Sequence, residues 1–114
     1  MRALAKRSED QFVERVEAHL RRALPHVCAE MDTGAMRSSV NRGMQKARDY
    51  RILTEYDTVR FIDLMYTLGF EFDRELTWAH DILTDLQIPA DMRLNMIDDH
   101  LDDLEQSSTE VHDA

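Results

Sequence analysis

Residues 51–73 read RILTEYDTVRFIDLMYTLGFEFD, and this stretch decides the fold class that the sequence predicts. It holds the densest apolar content of the chain, between a helix start signal and a helix stop signal. Thr54 stands three residues before Asp57, where its hydroxyl can accept a backbone N–H of the first helical turn. Gly69 tolerates the left-handed conformation that is common just past a helix end. The stretch therefore predicts a helix over residues 55–68.

The apolar residues of this predicted helix cover more than one of its faces. A helix with so wide an apolar surface is wrapped by neighbours on several sides, so we expect it to lie at the centre of the packing. From Tyr56 onward, the apolar positions are Val59, Phe61, Ile62, Leu64, Met65, Tyr66 and Leu68.

Two charged residues interrupt the apolar run. Arg60 and Asp63 are three residues apart and are therefore neighbours on one helical face. They form either a solvated stripe or local ion pair, or a polar contact to a partner protein. After Gly69, Phe70 and Phe72 alternate with acidic residues. This alternation predicts a short extended connector whose Asp73 caps the next helix.

Four further helices are predicted from the helical spacing of apolar residues on either side of the central stretch. Ser8 begins a capping-box pattern at the start of the first, and Pro25 is expected to end or kink it near Ala23 or Leu24. Gly43 lies inside the second, where glycine costs about 1 kcal/mol relative to alanine unless a close helix contact requires it. These helices are predicted over residues 8–24, 34–50, 75–86 and 90–104.

Length and composition predict an all-α protein with a single compact domain. The chain has 114 residues, enough for one modest core, and only 3 glycines and 2 prolines, which disfavours strands and turns. We expect about five helices, with the domain over residues 1–105. Residues 106–114 lack periodicity and predict a flexible acidic tail.

The charge is divided unevenly along the chain. Residues 1–52 carry 11 Lys and Arg against 7 Asp and Glu, whereas residues 53–114 carry 3 Arg against 16 Asp and Glu. Phosphate contacts need Lys and Arg, so the acidic half argues against nucleic-acid binding by that surface. It suits a basic protein partner, mimicry of a nucleic acid, or solubility alone.

The single cysteine and the absence of targeting signals favour the cytoplasm. Cys28 has no intrachain partner for a disulfide, which suits a reducing compartment. The amino-terminal segment MRALAKRSED has positive charge but no apolar core of a secretory signal. No apolar run approaches the length of a membrane span, so no membrane contact is expected.

Catalytic and metal-binding patterns are weak in this sequence. None of the five histidines has a carboxylate or histidine three or four residues before it, as a helical metal site requires. The serines and Cys28 lack a nucleophile setting, and the glycines are too isolated for a phosphate-binding loop. We expect no enzyme activity, no catalytic residues, no metal and no cofactor. The histidines are His19, His26, His80, His100 and His112.

A pattern over residues 44–86 resembles small helical proteins encoded among bacterial type VI secretion effector genes. It consists of Met44-x-x-Ala47-x-x-Tyr50, Thr54-Glu55-x-Asp57, Phe61-x-x-Leu64-Met65, Leu68-Gly69-x-x-Phe72-Asp73 and Trp78-Ala79-x-x-Ile82-Leu83. The resemblance implies an accessory protein that binds an effector, its adaptor or the secretion spike in the cytoplasm. It implies no specific functional residues.

The leading hypothesis is a non-enzymatic protein-binding module, an adaptor or chaperone-like accessory for a secreted effector. Its proposed contact surface uses aromatic side chains that escape the core, together with charged neighbours. Trp78 is the only tryptophan and is either a core residue or a partner-binding anchor. The candidate contact residues are Arg60, Phe70, Phe72, Asp73 and Trp78.

The alternative hypothesis is an immunity or inhibitor protein that uses the acidic last helix, in the manner of a nucleic-acid mimic. Its candidate residues are Asp98, Asp99, Asp102 and Asp103. The same helix carries a narrow apolar seam that suits packing on another helix, either within the chain or across a homo-oligomer. The seam consists of Leu94, Ile97, Leu101 and Leu104.

Overall fold

Seven helices and no strands form the regular structure of residues 2–113 in a computed structural model of the chain, whose side chains are described for residues 8–106. The predicted all-α class is confirmed. The helices are α1 (Arg2–Ala23), α2 (Pro25–Cys28), α3 (Thr33–Asp49), α4 (Glu55–Leu68), α5 (Phe72–Glu75), α6 (Thr77–Leu83) and α7 (Ala90–Asp113).

Two single-turn helices account for the difference from the expected five. Pro25 ends α1, as predicted, and also opens the four-residue helix α2 as its first residue. The four-residue helix α5 begins at Phe72, where an extended connector was expected. The extended connector was therefore wrong, since Phe72 and Asp73 are helical. The predicted cap was also wrong, because Asp73 does not cap a following helix. Its carboxylate lies inside the protein and accepts hydrogen bonds from α3.

The bounds of three helices differ from the predicted ones by more than one residue. α1 begins at Arg2 instead of Ser8, and α6 covers only Thr77–Leu83 of the predicted residues 75–86. α7 runs to Asp113, through most of the segment expected to be flexible. Side chains from residue 107 onward lie outside the described residues, so the flexibility of the tail stays a prediction.

α4 is bounded by the two signals that the sequence contains. The Thr54 hydroxyl accepts the Asp57 backbone N–H at 3.1 Å, and Gly69 follows the helix with φ of 119°. The helix contacts α1, α3, α5 and α7. Its most deeply buried side chains are those of Phe61, Ile62 and Met65, each 0% exposed.

α3 ends in a cap that lacks the usual glycine. The Arg51 N–H donates to the Arg48 carbonyl at 2.9 Å, and the Ile52 N–H donates to the Ala47 carbonyl at 2.8 Å. This is the Schellman pattern, and it places Arg51 at φ of 62°, the left-handed region. The cap turns the chain so that Ile52 enters the core.

Gly43 marks a close approach of α3 and α4. A Cβ atom at this position would lie 2.7 Å from Ile62 Cγ1 and 3.0 Å from Met65 Sδ. Both distances are shorter than normal van der Waals contact, so glycine allows the helices to pack at this distance. The contact between helices that the sequence suggested as a reason for this glycine is therefore present.

We expect Gly43→Ala to lower the free energy of unfolding by about 1–2 kcal/mol, because overpacking outweighs the gain in helix propensity. Urea unfolding followed by circular dichroism measures the change. Gly34→Ala is the matched control in the same helix, since a Cβ there would meet only Asp32 Oδ1 at 3.4 Å. A loss of stability at Gly34 equal to that at Gly43 would contradict the close-packing explanation.

Arg93 is the largest fully buried side chain, at 2% exposure. Its guanidinium donates from Nε to the Ile88 carbonyl at 2.9 Å. It donates from Nη1 to the Tyr50 and Leu83 carbonyls, both at 2.8 Å. Burial lowers the pKa of Arg93 from its usual value. The side chain thus joins the ends of α3 and α6 to the turn before α7.

Arg93→Met is expected to lower the free energy of unfolding by about 3–5 kcal/mol, because one buried and two part-buried hydrogen bonds to backbone carbonyls are lost. The measurement is the urea unfolding curve of the purified variant. Arg22→Met, at an exposed position of α1, is the control and should change stability by no more than about 0.5 kcal/mol. An equal loss of unfolding free energy in the two variants would contradict a stabilising role for the buried contacts of Arg93.

Candidate protein-binding surfaces

The connector between α3 and α4 exposes two large apolar side chains. Ile52 is 1% exposed, and the next residue, Leu53, is 74% exposed, because successive side chains of an extended segment point to opposite sides. Tyr56 follows in the first turn of α4 and is 75% exposed.

Leu53 and Tyr56 border a groove between α1 and α4. The groove consists of two adjacent depressions, of about 270 and about 310 Å³, that share Phe12 and Glu55. We call it the α1–α4 groove. The first depression is lined by Ser8, Glu9, Phe12, Met44, Arg48, Ile52, Leu53, Glu55 and Thr58. The second is lined by Phe12, Arg15, Val16, His19, Glu55, Tyr56 and Val59.

The side of α1 that lines the groove is one continuous stripe. Ser8, Phe12, Val16 and His19 follow at steps of four, four and three, so they lie on one face of the helix. At about 1.5 Å of rise per residue, the stripe is about 16 Å long, or about three helical turns.

Charged residues at the rim of the groove are paired with one another. Arg48 Nη2 lies 3.1 Å from Glu9 Oε1, and Arg15 Nη2 lies 3.0 Å from Glu55 Oε1. All four side chains are more than half exposed, so each ion pair contributes at most about 1 kcal/mol to stability. The rim therefore presents compensated charge beside an apolar floor.

A polar network joins α3 to α5 on another part of the molecule. Lys46 Nζ donates to Asp73 Oδ1 and Glu71 Oε2, each at 2.9 Å. The Tyr50 hydroxyl donates to Asp73 Oδ2 at 2.7 Å. Burial and the hydrogen bond to Asp73 raise the pKa of Tyr50, and the bond from Lys46 lowers the pKa of Glu71. Arg42 adds a further ion pair to Glu71.

Two of the predicted contact residues lie inside the protein. Phe72 is 1% exposed with its ring centroid 5.4 Å from that of Phe61, and Asp73 is 2% exposed within the polar network. Neither is accessible to a partner in this conformation. Phe70 is 40% exposed, and its ring lies 5.1 Å from that of Tyr66.

The remaining predicted contact residues lie against α7. Trp78 is half-buried and stacks on His100, with ring centroids 4.0 Å apart. Arg60 Nη2 donates to Asn95 and Asp98 at 2.9 and 2.8 Å, and therefore does not pair with Asp63. Asp63 instead accepts a hydrogen bond from His19 Nε2 on α1, at 2.9 Å.

The last helix uses most of its predicted apolar seam within the chain. Leu94 and Ile97 are 0% exposed, and Leu101 is partly buried against the core. Leu104 is 49% exposed. Of the four predicted acidic residues, Asp98 pairs with Arg60, whereas Asp99, Asp102 and Asp103 lie on the exposed surface.

Among the described residues, no group of three or more His, Cys, Asp or Glu side chains is arranged to hold a metal ion. Cys28 is buried, and its Sγ donates to the Leu20 carbonyl at 3.6 Å. His112 lies outside the described side chains. No helix in the described part of the chain combines the length and apolarity that crossing a membrane requires.

The chain matches no protein-family model, and neither the curated proteins nor the solved structures include a significant match to it.

The polar network predicts a pH dependence of stability. Because the folded pKa of Tyr50 is raised above its ordinary value of 10.0, the unfolded chain releases this proton first, and stability falls as pH rises past 10. We expect the gap in free energy of unfolding between wild type and Tyr50→Phe to narrow from about pH 8 to about pH 11. Urea unfolding at each pH measures it.

Tyr56→Phe is the control for this prediction. It removes a tyrosine at an exposed position outside the network. A gap between wild type and Tyr50→Phe that stays constant across the pH series would contradict the assigned role of the Tyr50–Asp73 hydrogen bond.

Proposed function

We propose that this chain is a non-enzymatic protein-binding module whose principal contact surface is the α1–α4 groove. The observation that carries the proposal is the exposure of Leu53 and Tyr56, at 74 and 75%, beside an apolar depression. Two large side chains left in water next to a concave apolar surface are typical of protein-interaction sites.

The occupant that suits the groove is an amphipathic helix of the partner. A groove about three turns long between two helices accepts apolar side chains spaced at i, i+3 or i+4, and i+7. Phe12 and Val16 provide an apolar floor, and Leu53 stands at the border. Fully covering a leucine side chain contributes about 1.5–3 kcal/mol, so the two border residues supply a substantial part of the affinity.

The paired rim charges favour a partner helix held by apolar burial. Arg48 and Glu9 satisfy each other, as do Arg15 and Glu55, so neither sign of charge dominates the rim. A strongly charged partner segment therefore gains little there. We infer that binding in this groove depends only weakly on salt.

The biological role that we propose is that of an adaptor or chaperone-like accessory for a secreted bacterial effector, acting in the cytoplasm. The support is the resemblance of residues 44–86 to accessory proteins encoded among type VI secretion effector genes. That segment contains Leu53, Tyr56 and the first turn of α4, which form one border of the groove.

An immunity or inhibitor role is the second candidate. The observation that favours it is the exposed group of Asp99, Asp102 and Asp103 on α7, which suits a basic partner. Such an inhibitor would bind through α7 and leave the groove unoccupied.

Comparative co-purification from the native cytoplasm, with mass spectrometry of the co-eluting proteins, tests the proposal. We expect wild type to retain a partner that Leu53→Ser with Tyr56→Ser loses by about tenfold or more, because its apolar anchors are gone. A peptide copied from an amphipathic helix of that partner should then bind the purified chain and compete for the groove.

Leu86→Ser is the matched control, because Leu86 is 53% exposed but lies in the turn before α7. It should retain the partner. Recovery of a secretion-spike or adaptor protein together with an effector supports the accessory role, whereas a lone toxic enzyme, inactive while bound, supports immunity. A partner that the Leu53 and Tyr56 variant retains in full would refute the groove as the contact surface.

A further inference from the structure

A row of partly exposed side chains runs along the outside of α7. Its members are Met92, Met96, His100 and Leu104. Because residues four apart lie on successive turns of one helical face, they form a continuous slanted ridge. Met92, Met96 and Leu104 are 52, 39 and 49% exposed. We call this row the α7 ridge.

The α7 ridge is separate from the face that α7 uses in the core. The inward face carries Arg93, Leu94 and Ile97, which are 2, 0 and 0% exposed. The packing of α7 on α4 and α6 is thus complete without Met92 and Met96. Met92 and Met96 therefore remain available to contact another molecule.

An aromatic side chain extends the ridge on the α6 side. Trp78 stacks on His100 with an angle of 31° between the ring planes. The indole therefore holds the imidazole against α6 and borders the ridge at its middle. Trp78 is also the only tryptophan of the chain, so its fluorescence reports on this surface alone.

Carboxylates flank the other side of the ridge. Asp99 precedes His100, Asp103 precedes Leu104, and both are exposed. Among the described residues, neither forms an ion pair, whereas Asp98 is already compensated by Arg60 at 2.8 Å. Apolar surface and uncompensated negative charge therefore lie side by side on one helix.

We propose that the α7 ridge binds a basic amphipathic helix of another protein. A row of side chains at i, i+4, i+8 fits the groove between the side-chain rows of a second helix. Methionine adapts its shape to varied apolar partners, and Asp99 and Asp103 select Lys or Arg beside the partner's apolar residues. The inference goes beyond the proposed groove function, because it concerns a second surface.

Two other partners suit the ridge less well: a nucleic-acid-binding protein and a second copy of this chain. To attract a nucleic-acid-binding protein, the ridge would have to mimic nucleic acid with a dense array of negative charge, and Met92 and Met96 interrupt that array. A second copy of this chain suits the ridge carboxylates less well, because five of the eight Lys and Arg side chains described at positions 8–52 already pair with carboxylates of their own chain. The paired residues are Arg15, Arg37, Arg42, Lys46 and Arg48.

Titration with synthetic peptides, followed by Trp78 fluorescence, tests the proposal on the full chain. The probe is a tryptophan-free helical peptide about four turns long, with Leu at i, i+3, i+4 and i+7 and Lys elsewhere. One control has the same composition in scrambled order, and the other has Glu in place of Lys. We expect saturable binding of the first peptide, about tenfold or more weaker binding of the scrambled one, and none of the Glu peptide.

Two double-substitution variants test whether the peptide binds at the ridge. Met92→Ser with Met96→Ser should weaken binding about tenfold, because two apolar contacts are lost. Asp99→Asn with Asp103→Asn should weaken it several-fold at low salt and flatten its salt dependence. Leu53→Ser with Tyr56→Ser is the matched control, and its affinity for the Lys peptide should equal that of wild type.

Three outcomes would overturn the proposal. Equal binding of the ordered and scrambled peptides would mean attraction to charge alone. If the methionine variant bound the Lys peptide as tightly as wild type, the binding site would lie elsewhere on the chain. Self-association of wild type in sedimentation equilibrium that the methionine variant abolishes would assign the ridge to a second copy of this chain. Loss of groove binding has no bearing on any of these results, so the two proposals fail independently.

Discussion

The buried guanidinium of Arg93 is the constraint on which the arrangement of the helices depends. It satisfies the Tyr50 carbonyl at the end of α3 and the Leu83 carbonyl at the end of α6. Carbonyls at helix carboxyl ends lack intrahelical donors and carry the negative end of the helix dipole. One cation therefore neutralises two helix ends, which explains how a charge can be buried without a hydrogen-bonded carboxylate.

This junction determines where the two proposed surfaces lie. The chain leaves α3 at Tyr50, is reversed by Arg51, and reaches Thr54 after exposing Leu53. The α1–α4 groove begins at this reversal. On the other side of Arg93, α7 extends away from the junction, and the ridge begins at the neighbouring residue Met92. The fold thus carries an apolar groove with compensated charge and, on α7, an apolar ridge with uncompensated charge.

Local signals predicted both ends of α4 and the carboxyl end of α1. Thr54, Gly69 and Pro25 act within a few residues of their own positions, so their effects could be derived from sequence alone. Arg51 could not be identified as a cap from the sequence, because the residue that usually holds the left-handed position after a helix is glycine.

The features that the sequence did not predict depend on contacts between distant residues. Asp73 resembles a helix cap in sequence, yet Lys46, 27 residues away, draws its carboxylate into a network. Arg93 resembles a solvated residue of an acidic helix, yet one of its three carbonyl partners, Tyr50, is 43 residues away. The groove likewise forms only because α1 and α4 pack side by side. Apolar periodicity within one helix does not indicate which other helix it packs against.

The position of Arg93 also bears on the order in which the chain folds during synthesis. The ribosome releases α1 to α6 before residue 93, so the Tyr50 and Leu83 carbonyls exist for a time without their donor. Until α7 emerges, these two carbonyls have only water to bind, and the faces of α4 and α6 that pack on α7 remain uncovered. A protein with this architecture completes its core from its carboxyl end, and a nascent chain that stalls before α7 presents apolar surface to chaperones and proteases.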